Sequence, residues 1–456
     1  METFISLLNT IDAWVWQPLF VVLVGTGLYL TYRLRGLQFR RLIYSLKLAF
    51  TRHDDEAEGD ISHFQALMTA LAATIGIGNI AGVATAIAMG GLGSLFWLWI
   101  TALIGMATKY SEAILAIKYR IVDDRGEMAG GPMYYIERGL GWKWLAVSFA
   151  FFGGLTTLFT GNLVQSNSIA SAVSTSFGVD VWISGAILAV CTGLVLIGGI
   201  RSIGGVTSFL VPIMALFYIL GSIIILAFRF THIPHAVSLI FSTAFTGQAA
   251  IGGFAGSTIM MAVQMGVARG VFSNESGLGS SPIAAAAAKT DMPGRQALIS
   301  MTGAFLSTIV CTFTGLAIAV TNVLGNIGPD GKVLNGAPLT IAAFDAAIPY
   351  GGWIVVLGSI LFGYSTIVGW AYYGEKCCEY LFGTKSILGY RVIFTIFVLI
   401  GVAIPIEVVW ALADIANAFM ALPNLIGIVA LSGVVVSQTK IFFKKVRKEE
   451  LQTSNL

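Results

Sequence analysis

Long apolar runs separated by short polar segments fill this chain. They predict helices near 14–32, 62–89, 94–117, 145–172, 181–199, 205–228, 238–272, 296–322, 352–374, 388–405 and 408–440. Most of these eleven runs match or exceed the ~20 residues that an α-helix needs to cross a bilayer. The seventh and the eleventh are too long for one straight crossing and are expected to bend or break, the last of them at Pro423.

The second run is interrupted in its middle by Ala72-Ala73-Thr74-Ile75-Gly76-Ile77-Gly78-Asn79-Ile80-Ala81-Gly82. Three glycines and an asparagine within seven residues disfavour a continuous helix. In lipid the freed amides and carbonyls must find partners, so such a break belongs where backbone holds a ligand or an ion. Gly78 and Gly82 also form a GxxxG pair, which alone fits close helix packing equally well.

Composition agrees with the pattern. Of 456 residues 56% are apolar and 11% charged, against about 25% charged in globular proteins. The chain reads as a multi-pass protein of the plasma membrane, with the bilayer as its partner. Cys191, Cys311, Cys377 and Cys378 have no metal or redox spacing, and His53, His63, His232 and His235 form no zinc pattern.

Charge fixes an expected orientation. The first run has acidic Glu2 and Asp12 before it and Arg33, Arg35, Arg40 and Arg41 after it, so it is no signal peptide and its N-terminus is expected outside. Alternating sides over eleven spans then place 24 of the 26 lysines and arginines inside, leaving Arg229 and Lys332. Segment 118–144 is expected as a cytoplasmic loop with a short interfacial helix, and 323–350 as an ordered outer loop capping a cavity. The last residues, KKVRKEELQTSNL, read as a short polar tail against anionic headgroups.

Carboxylates inside the runs are scarce. Glu112, with Lys109 and Lys118, reads as a structural ion pair, while Asp414 reads as a cap or a proton site, with Asp345 and Glu407 in or near the outer face. Uncharged polar residues are many. The fourth run carries Thr156, Thr157, Thr160, Asn162, Gln165, Ser166 and Asn167, and Asn162, Gln165 and Ser166 share one face. That face either seams two helices or lines a polar cavity. In the ninth run Thr366 and Trp370 lie one turn apart beside Ser365, where a hydroxyl could hold an ion and a ring could wall a small pocket.

Gly252, Gly253 and Gly256 with Ser257 and Thr258 give the seventh run a second glycine-and-hydroxyl stretch, five spans after the first. The segment ARGVFSNESGLGSSPIAAAAAKTDMPGR that follows, with Arg269, Asn274 and Glu275, is expected at the cytoplasmic face as a gate or turn. Two breaks in corresponding halves point to an inverted-repeat secondary transporter.

Thr74–Val83 (TIGIGNIAGV), Gly130–Gly141 (GGPMYYIERGLG) and Ala268–Ala284 (ARGVFSNESGLGSSPIA) resemble motifs of the alanine or glycine:cation symporter family, and the resemblance extends over most of the chain. That family lies in the amino acid–polyamine–organocation superfamily. The resemblance implies an all-α membrane protein with a leucine-transporter-like five-plus-five inverted repeat after one extra N-terminal helix. It also implies sodium-coupled import of alanine or glycine. The expected divisions are the extra helix and connector at 1–60, repeats at 61–232 and 233–442, and a cytoplasmic tail at 443–456.

By the same resemblance, Ile77, Gly78 and Asn79 offer amides or a side-chain oxygen to the substrate carboxylate and the ion. Carbonyls of Ala72, Thr74 and Ile75 serve sodium or the substrate ammonium, and Ser365 and Thr366 complete a sodium site. Gln165 and Trp370 join the expected substrate residues because their helical faces can meet the break. A broken helix supplies donors for a carboxylate and acceptors for an ammonium, and sodium suits carbonyl and hydroxyl oxygens. Proton coupling through Asp414 or Glu112 is the runner-up, and a channel is a weaker one. No metal pair, nucleophile with base or phosphate loop supports an enzyme, the basic residues give no sign of nucleic-acid binding, and no obligatory protein partner is expected.

Overall fold

A computed structural model describes residues 2–51, 57–249, 254–290, 292–328 and 331–453, and these are mostly helical. The first helix, α1 (Glu2–Arg33), turns at Arg35 and Gly36, both at positive φ (55° and 64°), into amphipathic α2 (Leu37–Phe50). A reciprocal cap starts α3 (His63–Thr74): the Gln65 amide donates to Ser62 Oγ at 3.2 Å and the Ser62 amide to Gln65 Oε1 at 3.0 Å. The helix then stops, a tight turn covers Ile77–Asn79, and the chain resumes as α4 (Ala81–Gly90) after a bend of 63°.

Next comes α5 (Gly93–Lys118), buried along most of its length, and a small hairpin, β1 (Ile121–Val122) with β2 (Met128–Ala129), Ile121 opposite Ala129. Then follow α6 (Pro132–Leu140), α7 (Lys143–Leu158) and α8 (Val164–Phe177), the last two joined through a π-turn at Phe159–Leu163. Helices α9 (Val181–Ile197) and α10 (Gly199–Phe228) complete the first half. The hairpin is the one two-stranded sheet among the described residues, and it shares the loop expected at 118–144 with the short helix α6.

The second half comprises α11 (Ile233–Thr246), α12 (Ile259–Asn274), α13 (Ser281–Ala286), α14 (Pro293–Thr321) and α15 (Gly336–Ala347). It ends with α16 (Gly352–Phe382), α17 (Ile387–Gly401), α18 (Ile406–Ala430) and α19 (Ser432–Thr453). Eight of the described helices are long and apolar enough to cross a membrane, nine counting the bent α3–α4 pair, and α9 is a shorter apolar helix. Hydroxyls inside these segments satisfy themselves by donating one turn back, as Ser111 does to Ala107 at 2.8 Å and Thr308 to Ala304 at 2.7 Å.

The run 238–272 is broken, as its length predicts, into α11 and α12. Gly252 and Gly253 lie outside the described residues, while Ser257 pairs with Gln248 and Thr258 caps α12 through Met261. Pro423 does not interrupt the last run: α18 continues through it, and the break falls at Leu431. In the segment expected as a polar tail, residues 443–453 continue α19.

Candidate functional site

The break after Thr74 is shaped from within. Asn79 Oδ1 accepts from the Gly76 amide at 3.0 Å, standing in for a helical carbonyl. Its Nδ2 donates to Ser307 Oγ at 2.8 Å and to the Ser307 carbonyl at 3.2 Å, and the Asn79 carbonyl accepts from Thr314 at 2.9 Å. Asn79 is thus fully engaged with α14 and is 0% exposed. Its side-chain oxygen helps to build the turn.

Helix α16 closes on the C-terminal end of α3. Both Thr366 Oγ1 (3.0 Å) and Ser365 Oγ (3.3 Å) donate to the Ala72 carbonyl, and both also reach the Phe362 carbonyl at 2.9 Å. Four oxygens therefore converge from two helices. This donor set suits a hard monovalent cation, and the Phe362 carbonyl is a member that the sequence did not single out. One turn on, Trp370 Nε1 donates to the Ala73 carbonyl at 3.3 Å. No side chain fits at Gly76, where a Cβ would stand 2.5 Å from Thr366 Oγ1.

Helices α7 and α8 approach through the π-turn. Gln165 Nε2 donates to the Thr160 carbonyl at 3.1 Å, and its Oε1 accepts from the Ile77 amide at 3.5 Å. Thr160 Oγ1 accepts from Asn417 Nδ2 of α18 at 2.9 Å. The shared polar face splits between the two readings of it. Gln165 turns to the break, whereas Asn162 donates to the Phe394 carbonyl at 2.7 Å and Ser166 to the Leu163 carbonyl at 3.3 Å. Asn167 binds the carbonyls of Gly401 and Ile404.

A second break faces the first, between α12 and α13. Glu275 takes positive φ (53°), as do Gly277 (90°) and Gly279 (84°), and this segment is buried. In the segment expected as a cytoplasmic gate or turn, Glu275 and Leu278 thus meet the first break, sharing a small cavity with Gly76 and Gly78. Glu112 of α5 holds it, its Oε1 accepting from the amides of Gly277 (3.1 Å) and Gly279 (3.2 Å) and from Asn424 Nδ2 (2.7 Å). Tyr135 donates to Asn424 in turn. Ser280 Oγ donates to Glu275 Oε2 at 2.7 Å, and buried Lys109 neighbours both carboxylates. Glu112 thus replaces lost helical acceptors, with Lys109 as a charged neighbour.

Between the breaks lies a small cavity of about 10 Å³, the room of roughly one water. Of the residues singled out in the sequence, Thr74, Gly78, Gln165, Thr366 and Trp370 line it, with Ala73 and Gly76 beside them. Ala72, Ile75, Ile77, Asn79 and Ser365 stand behind this lining. Thr160, Phe272, Glu275, Leu278 and Asn417 also line it and were not picked out as ligands. Asn417 Oδ1 is a buried acceptor without a partner among the described residues. A recurrence of Gly-x-Gly beside Asn274, echoing Gly76–Asn79, was the signal that could have found the second break.

Asp414 lies elsewhere, with Asp12 and Arg269 in a cleft between α1, α12 and α18, and Arg269 packs over the Trp410 ring at 5.5 Å. Arg269 therefore lies beside Asp12 and Trp16 of α1, away from Arg33–Arg41. Asp345 Oδ1 accepts from the Gly352 amide at 2.8 Å. That contact fastens α15 to α16.

The model of the sodium:alanine symporter family matches residues 1–455. The chain belongs to that family. The sodium/alanine symporter AgcS of Methanococcus maripaludis is 56% identical over 99% of this chain and 100% of its own length. Among solved structures, MhsT in complex with L-phenylalanine superposes with a TM-score of 0.56 at 14% identity, covering 84% of this chain and 93% of that one. A sodium-coupled sialic acid symporter superposes at 0.50 with 15% identity, over 94% and 86%. These likenesses establish the transporter fold of the symporter, which is a multi-pass protein of the plasma membrane and not of an enzyme family.

Proposed function

We propose that this chain is a sodium-coupled symporter that imports small neutral amino acids, alanine or glycine, by alternating access. The observation that carries the proposal is the convergence of Ser365 and Thr366 on the Ala72 carbonyl, at the edge of a cavity bordered by both helix breaks. Sodium takes the oxygens of Ala72, Ile75, Phe362, Ser365 and Thr366, with the carbonyl of Thr74 and the polar surroundings of Asn79 close by. The amino acid takes the adjoining cavity. Its carboxylate faces the Gly78 end of the first break, where α4 begins and helix polarity favours an anion. Its ammonium faces Glu275, Asn417 Oδ1 and the Thr74 carbonyl.

Phe272 and Trp370 wall the space left for a side chain, which favours small substrates. A cavity of about 10 Å³ must widen to admit an amino acid. Parting is expected at contacts that now join the segments flanking the two broken helices: the Asp60 amide on the Ala287 carbonyl (2.9 Å), the Lys289 amide on the Ile61 carbonyl (2.8 Å), and Arg120, which bridges the Glu58 carbonyl to those of Ala286 and Ala288. The proposal includes eleven spans, N-terminus outside and C-terminus inside. In it α3–α4 heads one five-span repeat and α12–α13 the other, with Arg120 at the cytoplasmic end.

Counterflow of labelled alanine in proteoliposomes tests the coupling. Exchange should be lost when choline replaces sodium, and unchanged exchange would refute it. Proton coupling is the second reading, favoured by the buried Glu275 at the cavity wall. Uptake driven by a pH gradient alone, without sodium, and abolished in Glu275→Gln would establish it instead.

A further inference from the structure

A basic cleft of about 730 Å³ opens where the α1–α2 elbow meets α19. Arg33, Arg35, Arg40 and Arg41 come from the elbow, Lys440, Lys444 and Arg447 from a helix some four hundred residues later. None of these seven is in an ion pair among the described residues, and no carboxylate lines the cleft among them. Such a gathering of like charge repels itself unless an anion joins it. Its floor is apolar: Leu34, Leu37, Val436, Phe443 and Val446. The Arg41 guanidinium lies 4.8 Å from the centre of the Phe443 ring, which ties the two segments across the cleft.

Depth comes from a separate observation. On α2 the exposed Phe39 (59%), Ile43 (75%) and Phe50 (62%) share one face, while Leu37 and Leu48 pack inward. An apolar face directed outward beside arginines is the form of a helix lying in the headgroup region. The positive φ of Arg35 and Gly36 makes the turn into α2 at the end of a membrane-length helix.

We propose that this cleft is a binding site for one anionic glycerophospholipid. Its phosphate sits among Arg40, Arg41 and Lys444, and its acyl chains run along Leu34, Leu37 and Phe443. The lipid bridges the extra N-terminal helix and the C-terminal helix. Free phosphate would engage the same cations but not the apolar floor. The inference does not depend on which solute the protein carries.

Native mass spectrometry of the purified full-length protein provides the test, with phosphatidylglycerol, phosphatidylcholine and inorganic phosphate as probes. One phosphatidylglycerol should be retained at least ten-fold more tightly than phosphatidylcholine, and inorganic phosphate should not displace it. Arg40→Gln/Arg41→Gln/Lys444→Gln should lower that retention more than ten-fold, each charge near a surface being worth roughly five-fold. The lysine version, Arg40→Lys/Arg41→Lys, should keep it, and single Arg41→Gln gives a graded loss if the triple variant does not fold. Equal retention of the two lipids, undiminished retention in the glutamine variants, or displacement by inorganic phosphate would each overturn the proposal.

Discussion

Thr366 donates its hydroxyl to the carbonyl of Ala72 across 3.0 Å of space and 294 residues of sequence. The bond joins a straight helix, α16, to the end of a broken one, α3. It also brings a hydroxyl oxygen to a carbonyl whose helical partner the break has removed. Thr366→Val keeps the shape and removes the oxygen. The sodium concentration for half-maximal alanine uptake should rise about ten-fold, or ~1.4 kcal/mol, while uptake at saturating sodium persists. An unchanged sodium curve would remove Thr366 from the cation site.

Gly161 lies against the indole of Trp370: a Cβ there would come 2.5 Å from Trp370 Cγ and 3.0 Å from Cδ2. Gly161→Ala should push the ring into the cavity and lower alanine uptake by about ten-fold, on the order of the cost of overpacking a well-filled core. Trp370→Ala should do the opposite and admit larger amino acids. Competition of leucine and phenylalanine against labelled alanine reads both. An identical competition profile in Trp370→Ala would show that the ring does not set substrate size.

Glu112 supplies one carboxylate oxygen to two backbone amides and the Asn424 amide. Glu112→Gln retains an acceptor there, whereas Glu112→Ala strands two buried amides at about 1–3 kcal/mol each. Melting temperatures in detergent should therefore fall in the order wild type, glutamine, alanine. An alanine variant as stable as wild type would show that the second break needs no outside acceptor.

Asp123, in the loop carrying β1 and β2, accepts from the amides of Arg125 (2.8 Å) and Glu127 (2.9 Å) and lies 3.4 Å from Lys376 Nζ. Burial pushes its carboxyl up, but the Glu127 amide, Lys376 and Arg125 together hold it below the usual carboxylate range. A depressed carboxyl stabilises the fold above its unfolded value, about 3.9, and loses that contribution as pH falls through the folded value. The difference in melting temperature between wild type and Asp123→Asn should be constant above about pH 5 and shrink below pH 4. A difference that grows on acidification would contradict the sign.

The amino-acid order alone determined the membrane class, most helices and the first break. Gly76, Gly78 and Asn79 stop a helix by local backbone preference, which a window of a few residues contains. The family motifs were equally local, and the family match spans the chain. Trp370 and Thr366 shared a helical face by spacing, and both line the cavity. Only the tertiary structure decided the second break. Hydropathy charged Glu275 and its neighbours the full cost of burial and read them as a gate or turn. Their partners, Glu112 and Lys109 on α5, Asn424 on α18, and Tyr135 on α6, are far away in sequence. A buried carboxylate is costly or tolerable according to who faces it, and that information exists only after the chain has folded.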